Sequence, residues 1–426
     1  MRVRSFVIAA LLGLSVASLA LPPAAVRAQG NARSAAEAQG FSAQRLGQIS
    51  EILSQDIARG QIPGVVLLIA RNGKIAHFEA LGMQDKARSL PMKKDSIHRI
   101  ASMTKPIVSV AAMRMVEQGR LKLTDPVAKY LPELKDLQVA VEKRDPAGQI
   151  TTELVPAARP ISVHDLIRHT SGLAYRFIGV KTPVKQRYED EDIDGLYSMT
   201  ASEMLQKLAK IPLVHQPGTT FEYSVSTDVL GHVLERIAGK PLDQVVDELV
   251  LRPLKMRDTV FFVGPDRAAR LAEPLPSDPD PWIYKWLKLT DPPKRFSAGA
   301  GGASTAADYH RFLQMLLNGG ELDGIRLLSP QTVKYMLSDH LGTIRGPYYL
   351  PGDGYSFGLG FGVRLVDGVS PMMGTAGEAN WGGITGTAFW LDPGQKLAVV
   401  FLTQAPATRG HYRPLLRAMI YGAMTR

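Results

Sequence analysis

A hydroxyl and a primary amine three residues apart open the chemistry of this chain: residues 102–105 read S-M-T-K, within H-R-I-A-S-M-T-K-P-I-V-S-V-A-A-M. On a helix that separation puts Ser102 and Lys105 on one face, close enough for the amine to take the hydroxyl proton. The residues that follow are apolar almost all round, as a central buried helix would be. A lysine facing such an interior must find partners or give up its proton, and a neutral amine is a base. Pro106 has no N–H to return to the preceding turn, which sets Ser102 at the beginning of the helix. Free N–H groups and the positive dipole end at that point can stabilise an oxyanion, so the pair suits acyl transfer through a serine. By itself S-x-x-K is a common pattern, and a capping serine followed by a surface lysine gives the same letters.

Three further stretches bear on the choice. F-E-Y-S-V-S-T-D-V-L-G sets Tyr223 between the turn Pro217-Gly218 and a new helix. A phenol there can reach a cleft and pass a proton between nucleophile and leaving group; a packed tyrosine with a satisfied hydroxyl fits equally. A-N-W-G-G-I-T-G-T-A-F-W carries glycines that let a strand edge approach a ligand with its backbone exposed. I-R-H-T-S-G-L-A-Y ends a helix between His169 and Gly172 in a hydroxyl-rich turn suited to bracing a site, with His169 structural rather than catalytic.

These positions need a scaffold that brings them together. Residues 41–59 place Leu46, Ile49, Ile52, Leu53 and Ile57 on one helical stripe, stopped by Gly60. The period then changes to two strand-like runs joined at Arg71-Asn72-Gly73, a tight hairpin. Near the other end, T-A-F-W-L-D-P-G-Q-K-L-A-V-V-F-L turns through Asp392-Pro393-Gly394, and R-P-L-L-R-A-M-I-Y-G-A-M reads as a closing helix. An α/β (α+β) fold follows, with a central antiparallel sheet built from both chain ends and flanked by helices. Residues 29–120 and 300–426 form that discontinuous sheet domain. A mostly helical insertion spans 121–299, with helical patterns at 163–169, 201–210, 227–238 and 241–250 and a further one at 307–318, and the active-site cleft lies between the two. E-D-E-D at 189–192 and D-P-D-P-W-I-Y-K-W at 278–286 read as loops.

Residues 1–28 read as a leader. Arg2 and Arg4 precede the apolar run F-V-I-A-A-L-L-G-L-S-V-A-S-L-A-L, and V-R-A supplies small residues for cleavage after Ala28, which makes the mature protein periplasmic or secreted. The alternative, an uncleaved anchor, suits the run less well, because it is short for a bilayer and ends at Pro22-Pro23. No later apolar stretch is long enough to span a membrane, so no stable membrane insertion is expected. The chain has no cysteine, and its net charge of +10 falls to +7 without the leader. With no basic tract and no nucleic-acid-binding signature, a nucleic-acid partner is not expected. Nine scattered histidines without H-E-x-x-H or paired-ligand spacing give no metal site and no cofactor. The oligomeric state is not legible.

Taken in order, these stretches resemble the serine beta-lactamase-like and penicillin-binding fold group, on its class C side and nearest to the beta-lactamase-like (family VIII) carboxylesterases. S-M-T-K at 102–105 is similar to its first motif, which implies Ser102 as the acylated nucleophile and Lys105 as its activating partner. Tyr223-Ser224-Val225 resembles the second motif, Tyr-x-Asn, implying Tyr223 as general acid/base. Trp381-Gly382-Gly383 falls where Lys-Thr-Gly is expected, which implies the Ile384 N–H, with that of Ser102, as oxyanion donors. The likeness runs from about residue 40 to 420 and extends to H-T-S-G-L at 169–173 and L-x-P-L-x-M-x-D-T at 251–259. Two departures bear on the substrate. Val225 replaces the amide that would hold an acylamino group, and Trp381 with Gly382 removes the cation and hydroxyl that would receive a lactam carboxylate. Losing such a charge-assisted contact costs about 1.5 to 3 kcal/mol, roughly ten- to a hundred-fold. Substrate contacts are therefore expected from Trp381, Gly382, Gly383 and Val225, in a pocket shaped by the loops 142–160, 176–200 and 275–297. The implied substrate is a small ester, with a lactam or wall peptide, or a non-catalytic binding module, as alternatives.

Overall fold

The computed structural model describes residues 34–426 except 145 and 147–149; the leader expected at 1–28 lies outside the described residues. One eight-stranded sheet organises the chain. In spatial order its strands are Tyr355–Phe357, Gly362–Arg364, Ala379–Gly382, Ala388–Asp392, Leu397–Thr403, Gly64–Arg71, Lys74–Asp85 and Leu90–Pro91, and every neighbouring pair is antiparallel. The fifth and sixth strands in that order join the two ends of the chain, with Val65 opposite Thr403 and Arg71 opposite Leu397. G-V-V-L-L-I-A and L-A-V-V-F-L are unbroken apolar runs because both sheet faces are covered, and successive side chains sort to opposite faces. Val66, Leu68, Val400 and Leu402 join the larger core, while Val65, Leu67, Val399 and Phe401 pack on the other side.

Helices complete three layers. Ala43–Ala58 begins where the Ser42 hydroxyl accepts from the Arg45 N–H, and buries Leu46, Ile49 and Leu53 in the smaller core beside Leu416 and Ile420 of the closing helix Arg409–Gly422. On the other face lies Thr104–Glu117, buried without interruption from Thr104 to Met113. The intervening chain supplies Val163–Ile167, Ala201–Leu208, Ser226–Ala238 and Leu242–Val246, matching the helical patterns, with Ala306–Leu317 after them. No helix among the described residues is long and apolar enough to cross a membrane.

The middle differs from expectation in three places, the first being the helix Pro183–Asp190, which takes in Glu189 and Asp190 of the E-D-E-D stretch read as a loop, because Thr182 caps it and Pro183 opens its first turn. A hairpin, Gln138–Arg144 with Ile150–Pro156, occupies much of the segment read as a loop. Pro281–Trp286 is a short helix, because Pro281 at its first turn has the φ a helix needs and no N–H to waste.

Candidate active site

Ser102 lies in the 3-10 turn Ala101–Met103 that feeds Thr104–Glu117, as the proline argument required. Ala101 enters that turn at φ 44°, a left-handed conformation that costs an L residue about 1 kcal/mol or more. Neighbouring bonds over-determine it. The Ile100 N–H donates to Gly302 O at 3.0 Å, Thr104 Oγ1 to Ala101 O at 2.6 Å, and Tyr309 Oη to Met103 O at 2.9 Å. The turn leaves the Ser102 N–H without a protein acceptor among the described residues, and the Ile384 N–H has none either.

Lys105 lies directly beneath, 1% exposed, with no carboxylate within ion-pair distance among the described residues. Its Nζ is 3.3 Å from Ser102 Oγ, 3.3 Å from Tyr175 Oη and 2.8 Å from Gly299 O. Three acceptors match the three hydrogens of an ammonium; in the neutral amine the Ser102 contact reverses and the hydroxyl donates. Gly299 is anchored in turn by Asp228, whose Oδ1 accepts from the Gly299 N–H at 3.3 Å and from Ser297 Oγ at 2.6 Å beside the buried Arg295.

Tyr223 stands on the other side of the lysine. Its ring lies 4.5 Å from Lys105 Nζ, and its hydroxyl accepts from Trp381 Nε1 at 2.9 Å. His169 backs it with ring centroids 4.5 Å apart, and the Ser224 N–H donates to His169 Nδ1. Burial, and then the nearby Lys105, hold His169 well below the usual histidine range, so it is neutral and structural in position.

The strand Ala379–Gly382 pairs along its whole length with Ala388–Asp392 but meets Gly362–Arg364 only at Ala379 and Asn380. Trp381 and Gly382 therefore offer an unpaired edge to a cavity of about 320 Å³ that Ser102, Tyr223, Gly383 and Ile384 also line. Gly383 has to be glycine, since a Cβ there would sit 2.6 Å from the carbonyl oxygen of Ile100, just ahead of the nucleophile turn. The far walls come from Phe177, Trp286, Tyr348 and Leu350. The segment at 142–160 instead borders a separate, more apolar hollow of about 490 Å³.

Seven of the eight expected residues thus meet at one place. Val225 does not. It precedes the helix Ser226–Ala238 with its side chain turned fully into the core, so the substrate contact expected of it is not made. Sequence reasoning missed Tyr175, whose signal was its place at the end of I-R-H-T-S-G-L-A-Y. Burial, and then Asp228, push its phenol well above the ordinary value, so it stays protonated. Also missed was Arg413, which borders the cavity from the closing helix.

Comparisons with known proteins agree with this fold. The family model described as Beta-lactamase matches residues 49–421. Protein Rv1367c of Mycobacterium tuberculosis is 36% identical over 355 residues, covering 81% of this chain and 86% of that protein. Esterase EstB of Burkholderia gladioli is 31% identical over 395 residues, 87% of this chain and 93% of its own. Among solved structures, EstCE1, a hydrolase with promiscuous acyltransferase activity, superposes with a TM-score of 0.71 at 30% identity, over 89% of this chain and 99% of that one.

Proposed function

This chain belongs to the Beta-lactamase family, with the serine-hydrolase fold of its esterase and penicillin-binding members, and from that premise we propose that it is a carboxylesterase for small neutral esters. The observation that carries the proposal is the bond from Trp381 to Tyr223, made by the residue that the motif resemblance aligns with a carboxylate-binding lysine. The names of EstB and EstCE1 support the same choice. The leader pattern of residues 1–28 supports action outside the cytoplasm.

In the proposed cycle Lys105 takes the Ser102 proton and the alkoxide attacks the ester carbonyl. The tetrahedral oxyanion is held by the Ser102 and Ile384 N–H groups; one such donor is worth roughly a hundred- to a thousand-fold in rate. Tyr223 protonates the departing alcohol, with Trp381 supporting the phenolate left behind. Water activated by Lys105 and Tyr223 then releases the acid. A second reading, cleavage of an anionic lactam or peptide, draws on Arg409, Arg413 and Arg417 at the end of the cavity. Against it, Arg417 is paired with Glu378, and Arg413 donates to two backbone carbonyls.

The test is steady-state turnover of p-nitrophenyl butyrate beside a chromogenic cephalosporin, each with Ser102→Ala. Ester turnover far above lactam turnover, abolished in Ser102→Ala, is the expected result. Dominant lactam turnover would favour the second reading, and full esterase activity in Ser102→Ala would remove Ser102 as nucleophile.

A further inference from the structure

We infer that Arg413 is the positioning residue of the oxyanion site, aiming and polarising the peptide whose N–H receives the developing charge. The inference rests on the proposed use of the Ile384 N–H. Arg413 Nη2 donates to Gly383 O at 2.9 Å and to Thr387 O at 3.1 Å, spanning the turn between the strands Ala379–Gly382 and Ala388–Asp392. The Gly383 carbonyl and the Ile384 N–H belong to one peptide unit. The described chain contains no cis peptide bond, so the two groups point in opposite directions. With the carbonyl held by the guanidinium, and more weakly by the Gly386 N–H at 3.3 Å, the Ile384 N–H is directed away from Arg413, toward the cavity that Ile384 and Ser102 line.

Charge adds to aim. Arg413 has no carboxylate within ion-pair distance among the described residues, and its Nε is buried without an acceptor. Its nearest charged neighbours on the helix are Arg409 and Arg417; burial and those like charges push it down to about 10, which leaves it cationic at neutral pH. An uncompensated cation bonded to a carbonyl draws electron density through the amide and makes its N–H a better donor. Room for the guanidinium explains the middle residue of Trp-Gly-Gly: a Cβ on Gly382 would lie 2.6 Å from Arg413 Cζ.

The experiment compares the full chain with Arg413→Met and Arg413→Gln in p-nitrophenyl butyrate kinetics, in thermal melting, and in the rate at which a fluorophosphonate labels Ser102. Arg413→Met is expected to lower kcat by roughly thirty- to a hundred-fold with KM within about threefold, and labelling should slow in parallel, because the phosphonyl oxygen uses the same donors. Arg413→Gln keeps a donor but no charge, and should lose about tenfold in kcat at unchanged KM. Unaltered kcat in Arg413→Gln overturns the inference even if Arg413→Met fails to fold. A raised KM with unchanged kcat also overturns it, in favour of direct contact with substrate. Failure of the esterase proposal looks different: the unaltered chain would then turn over little or no ester, while the effect of Arg413 on the rate of Ser102 labelling would still be read.

Discussion

The indole of Trp381 donates to the phenolic oxygen of Tyr223 across 2.9 Å, while the face of the same phenol lies over Lys105. A strand edge and an inserted loop are thereby joined at the group proposed to carry the proton. The indole N–H is a neutral donor in a largely apolar wall, and Phe357 fixes its ring edge-on at 5.0 Å.

Trp381→Phe keeps that packing and removes only the donor. A hydrogen bond to a group that gains negative charge is worth about 1.5 to 3 kcal/mol, so kcat should fall roughly ten- to a hundred-fold. Melting temperature and KM should stay close to the parent values. Steady-state ester kinetics beside a thermal melt check this; a parent-like kcat would mean that the indole contributes nothing to proton transfer.

Two phenols approach Lys105, and their environments give them different tasks. Tyr175, kept protonated by burial and Asp228, contacts the amine, whereas Tyr223 is the phenol proposed to exchange a proton. Tyr223→Phe should cost about a thousand-fold in kcat, within the range for a general acid/base, and Tyr175→Phe only about tenfold. Pre-steady-state bursts with a p-nitrophenyl ester separate the two, and a reversed order would exchange the roles.

Restoring the family threonine at the second position of Trp-Gly-Gly should do harm. In Gly382→Thr the new side chain collides with Arg413, and crowding of this kind costs about 1 to 3 kcal/mol. Lower melting temperature, weaker esterase activity and no gain in cephalosporin hydrolysis are expected; a stable variant with parent activity would show that Arg413 yields without consequence.

Acid should destabilise the fold through buried histidines. Burial pushes His98 down to about 4 from 6.5, with His98 Nδ1 3.1 Å from Ser96 O. The unfolded chain takes up the proton first as pH falls, so stability is full above about pH 6.5 and declines toward pH 4, by on the order of 3 kcal/mol for this residue. His164 and His310, also near 4, act in the same direction. Asp194 opposes them: burial raises it to about 6, and its ionisation weakens the fold as pH rises from about 4 to 6. Urea midpoints between pH 7.5 and 4.5 measure the net slope, which His98→Gln should flatten.

The sheet was legible because its central strands are uninterrupted apolar runs punctuated by Asn72-Gly73 and Asp392-Pro393-Gly394. Ser102 and Lys105 were legible because helical spacing brings them together and the stretches at Tyr223 and Trp381 to Gly383 set the pair apart from a chance pattern. The hairpin at 138–156 was not, since Q-V-A-V-E-K-R and I-T-T-E-L-V-P mix charge with alternation as an exposed loop does. Val225 was misjudged because adjacency to Tyr223 says nothing about which way the next-but-one side chain turns at the start of a helix. Tyr175 and Arg413 act through contacts 70 and 30 residues away along the chain, set only once the layers have packed.

The pairing at the centre of the sheet also dictates when this protein can fold. Thr403 Oγ1 donates to Gly64 O across 339 residues of sequence. A chain emerging from the ribosome holds the strand Gly64–Arg71 with one edge unsatisfied until Leu397–Thr403 has been made, so the sheet cannot close before that strand is available. Residues 397–426 close the sheet, cover its outer face and bring Arg413 to the Gly383 carbonyl. Incompletely synthesised chains are therefore left without a finished reaction centre as well as without a finished core.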